Sequence, residues 1–242
     1  MEQVNNKMTV EIWSDIMCPF CYLGKRKFEA ALEKFPEKEN VSIVWKSFQL
    51  NPRLETDTTI TIHQYLSDIK GIDPSRARAL NETVSASARE FGLEYNFDKA
   101  VVANTFRAHI LLHFAKRQGK QGEVEENLFR AYFTEGKNVD DPETLRELGR
   151  NAGLNVDNLA SAMEDESFID EVREDIYEAS QLDIRGVPFF VFDRRYGISG
   201  AQEPELFLQT LNKAHSEWRK KNPGALPWVE QGESCSIDGE CM

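Results

Sequence analysis

The spacing of hydrophobic and polar positions changes period several times along the chain. Residues 8 to 14, MTVEIWS, alternate, with Val10 and Ile12 on one face and Glu11 and Trp13 on the other, the two-residue period of a strand. From Pro19 the period lengthens. Phe28, Ala31, Leu32 and Phe35 recur at helical spacing, Pro19 suits a first helical turn, and Pro36 ends the run. Residues 41 to 48, VSIVWKSF, are β-branched and aromatic and predict a second strand, so the opening segment reads β-α-β.

After QLNPR the pattern turns helical as far as residue 183. In DPSRARALNETVSASAREFG, Asp73 is placed to cap and Pro74 to open a helix, with Leu80, Val84, Ala88 and Phe91 as its expected buried stripe and Gly92 as its stop. Further helical runs are predicted around 98 to 118, 123 to 135, 141 to 152 and 167 to 183, the last with Phe168, Val172, Ile176 and Ala179 on one face. The strand signal returns in PFFVFD, followed by RRYG as a turn and ISG. Pro204 then opens a closing helix that aligns Phe207, Leu211, Ala214 and Trp218. The expected fold is therefore α/β. A β-α-β unit in residues 1–57 and a β-β-α unit in 184–221 are separated by an inserted helical domain, 58–183, and 222–242 form an irregular tail.

At 242 residues and 40% hydrophobic, the chain can bury a core of ordinary size. The formal charge of −12, with no basic stripe to reverse it locally, argues against nucleic acid as a partner. MEQVNNKMTVEIW has neither the apolar stretch nor the cleavage site of a secretory signal, and no long uncharged apolar run occurs elsewhere, so a soluble cytoplasmic protein is expected. Four cysteines are too few for a disulfide scaffold in a chain of this length. In a reducing compartment, a close pair points to metal or redox chemistry.

That pair is Cys18 and Cys21 in SDIMCPFCYLG, between the first strand and the first helix. A cysteine at the start of a helix meets unpaired N–H groups and the positive end of the helix dipole, both favouring its thiolate. Cys18 holds that position, and Cys21, one turn on, is placed to attack a mixed disulfide formed there. A zinc site would normally need a second close pair. Cys235 and Cys241 are spaced too loosely, and His109 and His113 in HILLH lack the glutamate of a zincin helix, so no metal is expected. In IRGVPFFVF, Pro188 follows Val187 ahead of an apolar strand; it is either cis, leaving the backbone of Val187 to pair with an extended substrate, or a trans proline on an edge strand.

With CPFC after the first strand and GVPFFVF after a helical insertion, the chain resembles the thioredoxin-fold, DsbA-like oxidoreductases. WSDIMCPFCYLG, FQLNP, NTFRAHILLHFA, AYFTEGKN and YGISGAQ resemble the FrnE subgroup of cytoplasmic thiol-disulfide oxidoreductases. The resemblance runs from about residue 8 to residue 218. It implies a thioredoxin-like fold with Cys18 as nucleophile, Cys21 as resolving cysteine and Pro188 as the facing cis-proline. Pro19, Phe20 and Val187 would contact substrate, and Asn51, Asn104 and His109 are candidates to line its groove. Phe20 stands where some relatives carry histidine or tryptophan and offers the thiolate neither charge nor hydrogen bond. Many thioredoxins also bury a proton-relaying carboxylate in the first strand; its place here falls on Ile12, leaving Glu11 and Asp15 as the nearest substitutes.

The expected partners are protein or peptide thiols and disulfides, with no cofactor beyond the cysteine pair and glutathione as a candidate co-substrate. Two alternatives stand beside this reading. One is a glutathione-dependent isomerase or transferase of the kappa and 2-hydroxychromene-2-carboxylate isomerase type, whose members usually carry serine in place of Cys18. The other is a binding module whose thiols are silent. In the tail, Cys235 and Cys241 bracket an Asp-Gly turn and are a candidate auxiliary redox pair.

Overall fold

The computed structural model describes residues 7–223. The expected tail beyond Pro223, with its pair Cys235 and Cys241, lies outside them. Four strands form one sheet in the order β2-β1-β5-β6: β1 (Met8–Ser14), β2 (Val41–Ser47), β5 (Phe189–Phe192) and β6 (Tyr196–Ser199). β1 runs parallel to β2 and antiparallel to β5, with Ile12 opposite both Trp45 and Phe190. β5 turns into β6 through Asp193 and Arg194, both at positive φ, the backbone pattern that matches strand twist in a tight hairpin.

Because β1 is central, both of its faces are covered. Val10 and Ile12 pack with Phe28 and Ala31 of α1 (Pro19–Glu33), with Phe35 just beyond its end, and with Phe207, Leu211, Ala214 and Trp218 of α9 (Pro204–Lys221). Trp13 is buried on the opposite face with Ala179, Ile184 and Val191. Its indole donates to the Asp175 carbonyl at 3.0 Å. Glu11, on the same face as Trp13, is buried and paired with Arg194.

Between β2 and β5 lie β3 (Asp57–Thr61), β4 (Val101–Val102) and the helices α2 (Ile62–Lys70), α3 (Pro74–Arg89), α4 (Phe106–Arg117), α5 (Gln121–Arg130), α6 (Pro142–Asn151), α7 (Leu159–Ala162) and α8 (Glu166–Gln181). Three local expectations need correction. The stretch after QLNPR is not wholly helical, because β3 and β4 pair as a short ribbon, and the helix expected from 98 begins only at Phe106. Leu80 is not in the stripe of α3 but 45% exposed, and Phe91 lies half-buried beyond the helix end; the buried line is Ala77, Asn81, Val84, Ser85 and Ala88, rotated by about one residue. α5 continues as a π-helical turn, Ala131–Glu135, that ends at Gly136.

Asp175 and Gln121 of this block fasten it to β2. Asp175 of α8 accepts the Ser47 backbone N–H at 2.9 Å and pairs with Lys46 and with His113 of α4. Gln121 of α5 brackets Trp45, accepting its N–H at 3.1 Å and donating to its carbonyl at 3.0 Å, which satisfies part of the outer edge of β2. A single hydrophobic cluster joins Ile16, Cys18, Cys21 and Tyr22 to Phe129, Tyr132 and Phe133 of the helical block. The turn between β1 and α1 is thus closed over by helices.

Candidate active site

The turn after β1 sets up the cysteines through short-range backbone bonds. The Asp15 carbonyl accepts the Cys18 N–H at 3.0 Å, and the Cys18 carbonyl accepts the Cys21 N–H at 3.0 Å. Cys18 is extended at the N-cap of α1 with Pro19 at the first helical position, where its missing N–H leaves nothing unpaired. Both cysteines are free thiols and buried, Cys18 at 4% exposure and Cys21 at 1%. Burial pushes the Cys21 thiol well up, and the adjacent Cys18 adds to this; the Asp15 backbone and the Ser14 side chain only partly oppose it.

Opposite Cys18 stands the turn that leads into β5. The Val187–Pro188 peptide is cis, and the Cys18 Sγ–H donates to the Val187 carbonyl at 3.4 Å. The dithiol, the cis-proline and the preceding carbonyl are brought together from ends of the chain 169 residues apart. Residues 9–212 match the family model of the DSBA-like thioredoxin domain. The chain belongs to this family.

The whole fold is shared with DsbA-type proteins. The chain is 38% identical to the probable DsbA oxidoreductase SCO1869 of Streptomyces coelicolor and superimposes on its crystal structure with a TM-score of 0.81, covering 97% of this chain and 98% of that one. It is 29% identical to the Bacillus subtilis protein YwbO over 214 residues, 88% of this chain and 98% of that protein. The cytosolic disulfide reductase DsbM of Pseudomonas aeruginosa, solved with GSH, has the same fold at 16% identity, with a TM-score of 0.61 over 86% of this chain and 99% of that one. The protein is accordingly a member of a thiol oxidoreductase family with a DsbA-like thioredoxin fold.

The other sequence-predicted site residues fall into two groups. Pro19 and Phe20 lie in the first turn of α1 beside Cys18, and Phe20 is 51% exposed. The Pro19 carbonyl accepts the Tyr95 hydroxyl at 2.6 Å, which anchors this turn to the helical block. Asn51, Asn104 and His109 instead surround the segment after β2. Asn104 donates to the Leu54 carbonyl at 2.7 Å and accepts from Gln49 at 3.1 Å, while Asn51 donates to the Tyr65 hydroxyl at 3.0 Å. His109 is buried, 3.6 Å from the Asp15 carboxylate. His113 faces Glu171 and Asp175 instead, so the two histidines of HILLH serve separate places.

Asp15 is the hub that links these groups. Its carboxylate accepts the Leu50 N–H at 2.7 Å and its carbonyl holds Cys18, so one residue ties the 48–56 segment to the cysteine turn. Glu11 serves elsewhere, against Arg194. Sequence reasoning missed Glu125, a wholly buried residue of α5 whose Oε1 accepts the Ser14 hydroxyl at 3.0 Å. Its signal was an acidic residue inside the apolar spacing of Val124, Leu128 and Phe129. A groove between α1, β2 and α5, lined by Phe28, Ile43, Trp45 and Glu126, contains neither cysteine.

Proposed function

We propose that this protein is a cytoplasmic thiol-disulfide oxidoreductase of the FrnE subgroup, exchanging disulfides with protein, peptide or glutathione substrates through Cys18 and Cys21. The observation that carries this reading is the Cys18 sulfur at 3.4 Å from the Val187 carbonyl, with the Cys21 thiol buried directly behind it. An extended substrate pairing with the backbone at Val187 has its own sulfur held beside Cys18.

Exchange proceeds in two displacements. The Cys18 thiolate attacks a substrate disulfide, forming a mixed disulfide and releasing one substrate thiolate. The Cys21 sulfur then attacks Cys18, the bond to substrate breaks, and the second thiolate departs while the enzyme pair becomes a disulfide. The enzyme loses two electrons and the substrate gains them; a dithiol or glutathione restores the reduced pair. Run in reverse, the same steps oxidise a substrate dithiol, and an incomplete cycle at Cys18 isomerises disulfides. The potential of the pair relative to glutathione sets the net direction.

The exposed side chain of Phe20 on the rim, with Leu50 at 48% exposure on the segment tethered by Asp15, supports apolar peptide substrates. Cysteine at the N-cap, where the glutathione-dependent isomerases usually carry serine, supports exchange over isomerase or transferase chemistry. Insulin reduction by dithiothreitol tests the reading. Catalytic amounts of the wild-type protein accelerate precipitation of the insulin B chain and Cys18→Ser does not; equal rates with and without the wild-type protein would refute it.

A further inference from the structure

Lys27 is buried on α1, at 8% exposure, although lysine is almost never taken so far from water unless it is paired. Its ammonium pairs with Glu203, donates to the Ala201 carbonyl at 3.4 Å and lies 5.2 Å from the centre of the Phe91 ring. The Glu203 side chain is 69% exposed, so the ion pair alone contributes little stability. What the lysine does is join three separate parts of the chain: the helix that carries the cysteines, the turn between β6 and α9, and the turn after α3.

The turn between β6 and α9 bears directly on the cis-proline. Gly200, at a φ of 79°, donates its N–H to the Pro188 carbonyl at 2.8 Å, which continues the pairing of β5 with β6 beyond Phe189 and Ser199. Gly24, on the same helix as Lys27, stands against both Pro188 and Ala201. Residues 200–203 are thus held to Pro188 at one end and, through Ala201 and Glu203, to α1 by the buried ammonium.

On the reading that a substrate peptide pairs with the backbone at Val187 beside Cys18, the position of this turn decides how well the pairing edge is presented. We infer that Lys27 is a positioning residue: by holding the Ala201 carbonyl and Glu203 against α1, it keeps the Pro188 turn, and with it the Val187 backbone, in place for an extended peptide before that peptide arrives. It acts through the turn and not on the reacting sulfurs. Its contribution is preorganisation. Without the ammonium the turn takes up several positions, and only a fraction of the molecules presents Val187 correctly. Binding must then restore the arrangement, so the apparent affinity for peptide falls by that fraction while the bound complex reacts at its usual rate.

The test compares a peptide disulfide with a small one. Reduced protein is mixed with increasing concentrations of a fluorescence-quenched peptide that contains a disulfide, and single-turnover rates give a half-saturating concentration and a limiting rate. The same protein is mixed separately with 5,5′-dithiobis(2-nitrobenzoate), which has no backbone to pair with Val187. Lys27→Met, which keeps the apolar stem and removes the ammonium, is expected to raise the half-saturating peptide concentration about tenfold, as a competent fraction of about one tenth requires. The limiting rate and the rate with 5,5′-dithiobis(2-nitrobenzoate) should stay at wild-type values. Glu203→Gln, at an exposed position, should raise the half-saturating concentration by a smaller factor, and it decides the matter if Lys27→Met folds poorly. A folded Lys27→Met, or in its place Glu203→Gln, with the wild-type half-saturating concentration would overturn the role, and so would equal slowing of both reactions. Wild-type protein that does not cleave the peptide at all would overturn the exchange reading itself, and this role with it.

Discussion

Gly24 lies against Pro188 so closely that a Cβ added to the glycine would stand 2.9 Å from the proline Cγ. Ala201 and Phe190 close the same space at 3.5 Å, so α1 can approach the cis-proline turn only without a side chain at this position. Gly24→Ala gains about 1 kcal/mol of helix propensity. The overpacking it causes costs about 1–3 kcal/mol, and displaces Pro188 from Cys18. The expected result is a lower thermal midpoint together with slower reaction with peptide disulfides, with Gly24→Val more severe in both. A more stable Gly24→Ala variant of unchanged rate would show that the contact relaxes freely.

Asp15 should control the substrate rim through Leu50. Asp15→Ala removes the acceptor of the Leu50 N–H and leaves a part-buried donor unpaired, a loss of about 1–3 kcal/mol. Hydrogen exchange at the Leu50 amide should quicken and KM for peptide disulfides should rise. Unchanged protection at Leu50 would contradict the tether.

Glu125 and Glu126 should limit stability at opposite ends of the pH scale. Burial raises Glu125 from its ordinary 4.5 to about 8, so its contribution is fully present below about pH 4.5 and is lost as pH rises to about 8. Burial also opposes ionisation of Glu126, but hydrogen bonds from Arg26 and the charge of Lys25 outweigh it and hold that carboxyl at about 2. The Glu126 contribution is present above about 4.5 and is lost as pH falls toward 2. Glu125→Gln should therefore be the more stable protein at pH 9, by up to about 5 kcal/mol, and near wild type at pH 4. Glu126→Gln should be destabilised at pH 7 and not at pH 2. Thermal unfolding across this range checks both, and parallel curves for wild type and Glu125→Gln would contradict the first.

Cys18 should be alkylated before Cys21. The Cys21 thiol is held up by burial and by its neighbour, whereas Cys18 occupies the helix N-cap. Brief iodoacetamide treatment near pH 6 followed by peptide mapping should find the label on Cys18, and label mainly on Cys21 would reverse the two roles.

What could be read in the sequence was local. CPFC before a helical period, GVP before an apolar run and alternating MTVEIWS each carry their own signal within a few residues; the structure pairs MTVEIWS with the strand after GVP and places CPFC at the start of α1. The ribbon of β3 and β4 has no such signal, since DTTIT is polar and Val101–Val102 is only two residues long. Leu80 misled because α3 buries Asn81 and Ser85: Asn81 bonds to His63 and Ser85 to the Asn81 carbonyl, so polar side chains occupy its inward line. Glu125 was hidden for a different reason. Its partner Ser14 is 111 residues away, and a glutamate in EVEENLFR reads as one more charge on a solvated helix until the packing shows which face is covered.

The pairing of Cys18 with substrate opposite Val187 is tested most directly by trapping the intermediate. Cys21→Ser cannot resolve a mixed disulfide, so incubation of the reduced variant with an oxidised peptide should accumulate a covalent adduct, which mass spectrometry locates. The expected result is one peptide per protein, bound through Cys18, with no adduct in Cys18→Ser. An adduct through Cys21 in the Cys18→Ser protein, with none at Cys18 in the Cys21→Ser protein, would contradict the account.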